Sequence, residues 1–145
     1  MNTEPHAILE TLISASNRLI RTAAQHTAHS MTSATARTLS ILSSDGPLRT
    51  DELAAASRTG QPGMTKLLRN MVADELVYRI AEVDDARAWL IAITPKGTDA
   101  MLAWRRDLAD AMAPLFDDLA DDDWKAIETT AALLDEKSRR EVVFA

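Results

Sequence analysis

One stretch of this chain abandons the helical period that runs through the rest, and it constrains the fold more than any other feature. Val77-Tyr78-Arg79-Ile80-Ala81-Glu82 and Ala88-Trp89-Leu90-Ile91-Ala92-Ile93 are short and rich in β-branched or aromatic residues, with Val83-Asp84-Asp85-Ala86-Arg87 between them. That pattern predicts two strands joined by a hairpin loop. The segments on either side read as helices, so the expected fold class is mainly α with one small β-hairpin.

Ile8, Leu12, Ala15, Leu19 and Ala23 recur at helical spacing and predict a first amphipathic helix reaching about residue 28. Ser30-Met31-Thr32-Ser33 interrupts it with capping chemistry, and a second helix carries Leu39 and Leu42 until Asp45-Gly46-Pro47 stops it. Thr50 offers an N-cap to a very short third helix over about 51–56, with Asp51 and Glu52 in its first turn, where the helix dipole favours anions. Pro62 suits the first turn of a fourth helix, whose buried face is marked by Met64, Leu67, Leu68 and Met71. After the hairpin, Thr94-Pro95 restarts a helix with the stripe Met101, Trp104, Leu108, Met112 and Leu115. Asp121-Asp122-Asp123 opens a last helix with Trp124, Ile127, Ala131 and Leu134 on one face.

The third and fourth helices, joined through Arg58-Thr59-Gly60, form a helix-turn-helix candidate. The free face of the second one shows Gln61, Thr65, Lys66, Arg69 and Asn70, with no acidic residue before Asp74. Lysine and arginine grip guanine edges, glutamine pairs with adenine, and threonine suits a phosphate or a thymine methyl. Against this stands an ordinary solvated helix face, the commoner meaning of such residues when no helix-turn precedes them and no hairpin follows. Arg49, Arg58 and Arg79 are candidate phosphate contacts, which position a protein without reading sequence. The net charge of −6 argues against a nucleic-acid partner only in bulk. Residues 37–106 hold ten Lys/Arg against nine Asp/Glu, whereas residues 107–145 hold four against eleven, so the acidity sits at the C-terminal end.

The string Leu53-Ala54, Thr65-Lys66-Leu67-Leu68, Leu76-Val77-Tyr78-Arg79, Asp85-Ala86-Arg87 and Ile93-Thr94-Pro95-Lys96-Gly97 resembles the multiple-antibiotic-resistance regulator (MarR) family of bacterial winged-helix repressors. By motif the resemblance covers about residues 33–102, and by length and helix order the whole chain. It implies a winged helix-turn-helix lobe over 33–100 within a single domain 1–145, and dimerisation helices within 1–30 and 101–145. It further implies a homodimer straddling a palindromic operator, with residues 61–75 as the recognition helix in the major groove. Arg87 would enter the minor groove with Asp85 orienting it, and a small aromatic or phenolic effector would release the DNA. The sequence departs from the family pattern at Arg58 and Glu75, where glycine is usual, at Ser57, where an aliphatic residue is common, and at Gly60, where a serine cap is usual.

Other chemistries find less support. With no cysteine, disulfides, thiolate metal sites and cysteine nucleophiles are excluded. Gly46, Gly60, Gly63 and Gly97 have no phosphate-loop spacing, and no catalytic triad assembles, so neither enzyme activity nor a cofactor is expected. His26 and His29 share a helical spacing but lack the further ligands of a zinc site; with Met31 they are instead weak candidates for a ligand cavity. The Asp117-Asp118 and Asp121–123 run lacks the glycine and terminal glutamate of a calcium loop. Trp89, Trp104 and Trp124 are expected in the core or at a dimer contact. No membrane span or secretion signal is read, so a cytoplasmic protein is expected. The competing functional class is a winged-helix protein-interaction module without DNA binding.

Overall fold

A computed structural model describes residues 4–28, 31–82 and 89–139. The chain divides into two compact units, Met1–Ala111 and Met112–Ala145. The first holds α1 (Pro5–Gln25), α2 (Ser33–Asp45), β1 (Leu48–Arg49), α3 (Thr50–Ser57), α4 (Gln61–Ala73), β2 (Val77–Ala81), β3 (Trp89–Ile93) and nearly all of α5 (Pro95–Met112). Mainly helical, with a small antiparallel sheet, this is the architecture expected from the period change. Among the described residues no helix is long and apolar enough to cross a membrane.

Local chemistry sets the helix ends. Thr32 caps α2 by accepting the Thr35 N–H at 3.2 Å, and Gly46 ends it with φ of 79°, a conformation glycine adopts without steric cost. α1 ends at Gln25, short of residue 28, because His26 turns back: its N–H donates to the Ala23 carbonyl and its Nδ1 lies 2.8 Å from the Thr22 carbonyl. Thr50 is the first residue of α3 and not its cap. The preceding residue, Arg49, has extended backbone, and Glu52 accepts its N–H at 3.1 Å from three positions on. A carboxylate reaching back in this way closes the helix start without a capping hydroxyl.

The core gathers one face of every element in the lobe. Leu39 and Leu42 of α2, Leu53 of α3, Met64, Leu68 and Met71 of α4, Val77 and Ile91 of the sheet, and Met101 of α5 form one buried cluster. Each such side chain contributes about 1.5–3 kcal/mol by leaving water. Two buried hydroxyls are satisfied inside their own helices: Thr38 donates to the Ala34 carbonyl at 2.9 Å and Ser57 to the Leu53 carbonyl at 2.8 Å. Ser57 therefore fills an apolar position with no unpaired polar atom.

The sheet has three strands in the order β1-β3-β2. β2 and β3 pair antiparallel with Val77 opposite Ile93 and Ala81 opposite Trp89. β2 ends at Ala81, a residue earlier than the composition suggested, and residues 83–88 lie outside the described residues. β1 is an addition to the expected hairpin: Leu48 pairs with Ile91 and Arg49 with Leu90. Trp104 joins the core, whereas Trp89 is 49% exposed at the outer end of β3, so it is no part of the core.

In the second unit, a short turn of 3-10 helix (Ala113–Phe116) precedes α6 (Asp121–Ser138). Asp123 accepts the Ala120 N–H at 3.3 Å, which makes the aspartate run a helix start. Phe116 and Trp124 rings lie 6.0 Å apart, and Trp124, Leu133 and Leu134 stay exposed along the helix.

Candidate nucleic-acid interface

The turn between α3 and α4 is built by backbone bonds. The Thr59 N–H donates to the Ala54 carbonyl at 3.0 Å and the Arg58 N–H to the Ala55 carbonyl at 3.2 Å, while Arg58 takes φ of 54°. This is a Schellman closure, in which a left-handed residue lets the chain satisfy the last helical carbonyls. The same closure ends α4. Leu76 donates to Met71 at 2.9 Å, Glu75 donates to Val72 at 3.0 Å, and Glu75 takes φ of 61°. The helix thus stops at Ala73, two residues before the end expected from the family pattern. Both left-handed positions carry charged L-residues where that pattern has glycine.

With α4 fixed at both ends, its apolar face (Met64, Leu68, Met71) is buried, and Gln61, Thr65, Lys66, Arg69 and Asn70 are exposed. Gln61, Thr65 and Arg69 follow one another at i, i+4 and i+8, a row about 12 Å long at 1.5 Å per residue. Thr65 donates its hydroxyl to the Gln61 carbonyl at 3.0 Å, leaving its oxygen able to accept. Among the described residues, neither Lys66 nor Arg69 has an acidic partner. The row of donors and free cations expected from the sequence is assembled on one open face.

Arg58 stands at the turn, exposed, just ahead of this helix. Arg49 is exposed on β1 but not free. Its Nη2 lies 2.7 Å from both carboxylate oxygens of Glu82, and its Nε donates to Glu82 Oε1 at 3.3 Å. The hydrogen bond first, and the carboxylate charge second, hold its pKa above the usual arginine value. Nothing local in the sequence announces this pair, because its members are 33 positions apart. Arg79 is exposed on β2, and Asp85 and Arg87 lie outside the described residues.

A second feature hidden in the sequence locks α4 to α5. Thr94 donates its hydroxyl to the Glu75 carbonyl at 2.6 Å and its N–H to the Leu76 carbonyl at 3.0 Å, and its oxygen accepts the Gly97 N–H at 2.9 Å. Gly97 is buried there with the Leu76 carbonyl directly against its Cα, leaving no room for a side chain. Thr94-Pro95-Lys96-Gly97 is therefore a junction as well as a helix start.

Residues 31–89 match the model of the MarR family. The match takes in the helix-turn-helix and the β2 strand that follows it, so this part of the chain is similar to the MarR family. The MarR-type arrangement extends over nearly the whole chain in solved structures. The transcriptional regulator Tm0710 from Thermotoga maritima is 21% identical with a TM-score of 0.67, over 90% of this chain and 91% of that one. Wild-type MarR from E. coli is 16% identical with a TM-score of 0.68, over 92% and 98%. A MepR variant from S. aureus bound to an oligodeoxyribonucleotide is 19% identical with a TM-score of 0.59, over 93% and 99%. At these identities the likeness is one of fold. No curated protein matches the sequence. Transcriptional regulation, and not enzyme chemistry, is the business of the MarR family.

The ligand candidates are split between two hollows. His26 lines an open one of about 520 Å³ with Thr27, Asp107 and Asp110. Met31 lines a groove of about 390 Å³ with Leu67, Asn70, Met71, Asp74 and Leu76, behind α4. His29 lies outside the described residues. No group of three or more potential metal ligands occurs among the described residues.

Proposed function

We propose that this protein is a homodimeric, sequence-specific DNA-binding repressor that reads a palindromic operator and is released by a small aromatic or phenolic ligand. The observation that carries the reading is the open face of α4, where Gln61, Thr65, Lys66 and Arg69 stand on a helix locked at both ends. In this reading Thr65, Lys66 and Arg69 meet base edges, Gln61 at the helix start pairs with adenine, Arg58 meets a phosphate, and Arg49 is a phosphate ligand controlled by Glu82. Arg87 serves the minor groove with Asp85 as its support.

Dimerisation is supported by apolar surface that the chain leaves uncovered. Ile8, Leu9, Ile13 and Ile20 of α1 are each at least half exposed, and α6 buries no residue. Contiguous patches of this kind mark association surfaces. The Met31 groove is the better place for an effector, because Leu67 and Met71 belong to the back of α4. Among the described residues Asp74 is the one charged group lining it, so a neutral phenol suits it better than a carboxylate.

The test is a gel-shift with the promoter fragment beside the protein's own gene, run with unrelated DNA as competitor and with added phenols. Specific retention lost on adding a phenol supports the reading. Absence of any salt-dependent DNA binding defeats it in favour of a protein-interaction module.

A further inference from the structure

Arg49 offers the guanidinium fork that suits a DNA phosphate, yet it is occupied. Its backbone is fixed on both sides, by pairing of β1 with β3 and by Glu52 on its N–H. Arg49 and Leu90 are paired across β1 and β3, and Leu90 and Ile80 across β3 and β2. Glu82 follows the end of β2, two residues beyond Ile80, and its ion pair with Arg49 reaches across the central strand. The Arg49 side chain is 45% exposed, whereas Glu82 is 20% exposed, and Glu82 Oε2 is a buried atom without a hydrogen-bond partner among the described residues, 2.7 Å from Arg49 Nη2. Glu82 Oε1 accepts from both Nε and Nη2 along one guanidinium edge, the edge an anionic phosphate oxygen would also use.

We propose that Glu82 is an internal stand-in for a DNA phosphate: it competes for Arg49 and keeps this arginine out of the protein's electrostatic attraction to DNA. The inference rests on the DNA-binding reading given above. It makes Glu82 a residue that tunes operator affinity without touching the operator. Arg49 and Glu82 together present no net charge. Should a phosphate take Arg49, the half-buried Glu82 carboxylate loses the one cation it holds among the described residues and must recruit another from solution. The salt dependence of binding then gains nothing from this arginine, although an exposed arginine at an interface ordinarily adds about 0.9 to the slope of log affinity against log salt.

The experiment measures operator affinity of the full chain between about 50 and 200 mM salt for wild type, Glu82→Gln, Arg49→Gln and the double variant, with thermal melts to verify folding. Glu82→Gln should bind more tightly at low salt and steepen the slope by about 0.9 per subunit, an advantage that for a dimer shrinks about tenfold across this range. The double variant, neutral at both positions like the native pair, should return to the wild-type slope. Arg49→Gln alone should bind more weakly than wild type. Glu82→Ala repeats the first arm in case the glutamine amide still holds Arg49. An unchanged slope in both Glu82 variants, or a double variant flatter than wild type by about 0.9 per subunit, overturns the proposal and makes Arg49 an uncontested phosphate ligand or a mere brace. Lys66→Ala separates the two failures. If it flattens the slope while the Glu82 variants do nothing, only the competition is wrong; if no variant and not even wild type binds with salt dependence, the DNA-binding reading falls and this inference with it.

Discussion

Gly97→Ala should unfold the lobe by several degrees for a reason that helix propensity predicts with the wrong sign. Alanine is about 1 kcal/mol better than glycine inside a helix, and position 97 is the third residue of α5. A Cβ there, however, would overlap the Leu76 carbonyl oxygen and stand 2.9 Å from Ile93 Cγ1. Relief requires moving the backbone at the end of α4, which pulls on the Thr94 bonds to Glu75 and Leu76 at 2.6 and 3.0 Å. Two such bonds are worth about 0.5–1.5 kcal/mol each, and overpacking adds about 1–3 kcal/mol. After the propensity gain the net loss is about 3 kcal/mol, or about 6–12 °C in Tm for a chain of this size. Gly63→Ala is the control, since its Cβ would sit 3.4 Å from Thr59 Cγ2, an ordinary contact. It should leave Tm unchanged or raise it slightly. Melts of both variants at one fixed protein concentration decide the matter, because the melting point of an oligomer depends on concentration. A Gly97→Ala protein melting within about 2 °C of wild type would refute the steric account of the junction.

The other expectations concern single positions. Glu75→Gly should stabilise by about 0.5–1 kcal/mol, the left-handed penalty of an L-residue less the entropy of glycine; its exposed contact with Lys96 at 3.7 Å is too weak to offset this, and urea titration reads the shift. Arg58→Ala should flatten the salt slope of operator binding by about one unit per subunit, and an unchanged slope removes Arg58 from the interface. Arg69→Ala should relax base preference at particular operator positions by about 1–3 kcal/mol, whereas Arg87→Ala should weaken binding most beside A·T-rich flanks; an operator library separates the two. Light scattering at micromolar concentration should report a dimer for wild type and loss of it for Ile13→Asp, a residue 61% exposed on α1.

Much of the lobe was legible because its signals are local. Capping at Thr32, the stop at Gly46-Pro47, the buried row Met64, Leu68 and Met71, and the change of period at Val77 each depend on residues within a few positions of one another. What stayed hidden depends on partners distant in sequence. β1 is two residues long, too short to alternate, and exists because Leu48 finds Ile91. Glu82 reads as the last residue of a strand until Arg49 is brought across the sheet to it. Gly97 was visible within the family string, but its necessity comes from the Leu76 carbonyl 21 positions earlier. The misplaced end of α4 has a different cause. Asp74 and Glu75 are acceptable helix residues by propensity, and only the backbone bonds from Glu75 and Leu76 reveal that the chain has already turned.

The Thr94 junction makes α5 a lever. Eighteen residues long, the helix spans about 27 Å at 1.5 Å per residue, and its base is tied by one hydroxyl and one amide to the Glu75 and Leu76 carbonyls just past α4. A tilt of about 10° at that base displaces the far end of such a rod by about 5 Å. In the dimer proposed above, that far end need move only slightly for the α4 helices to lose the spacing of about 34 Å that successive major grooves demand. The three hydrogen bonds at Thr94 would then be the fulcrum through which a change far from DNA alters half-site spacing.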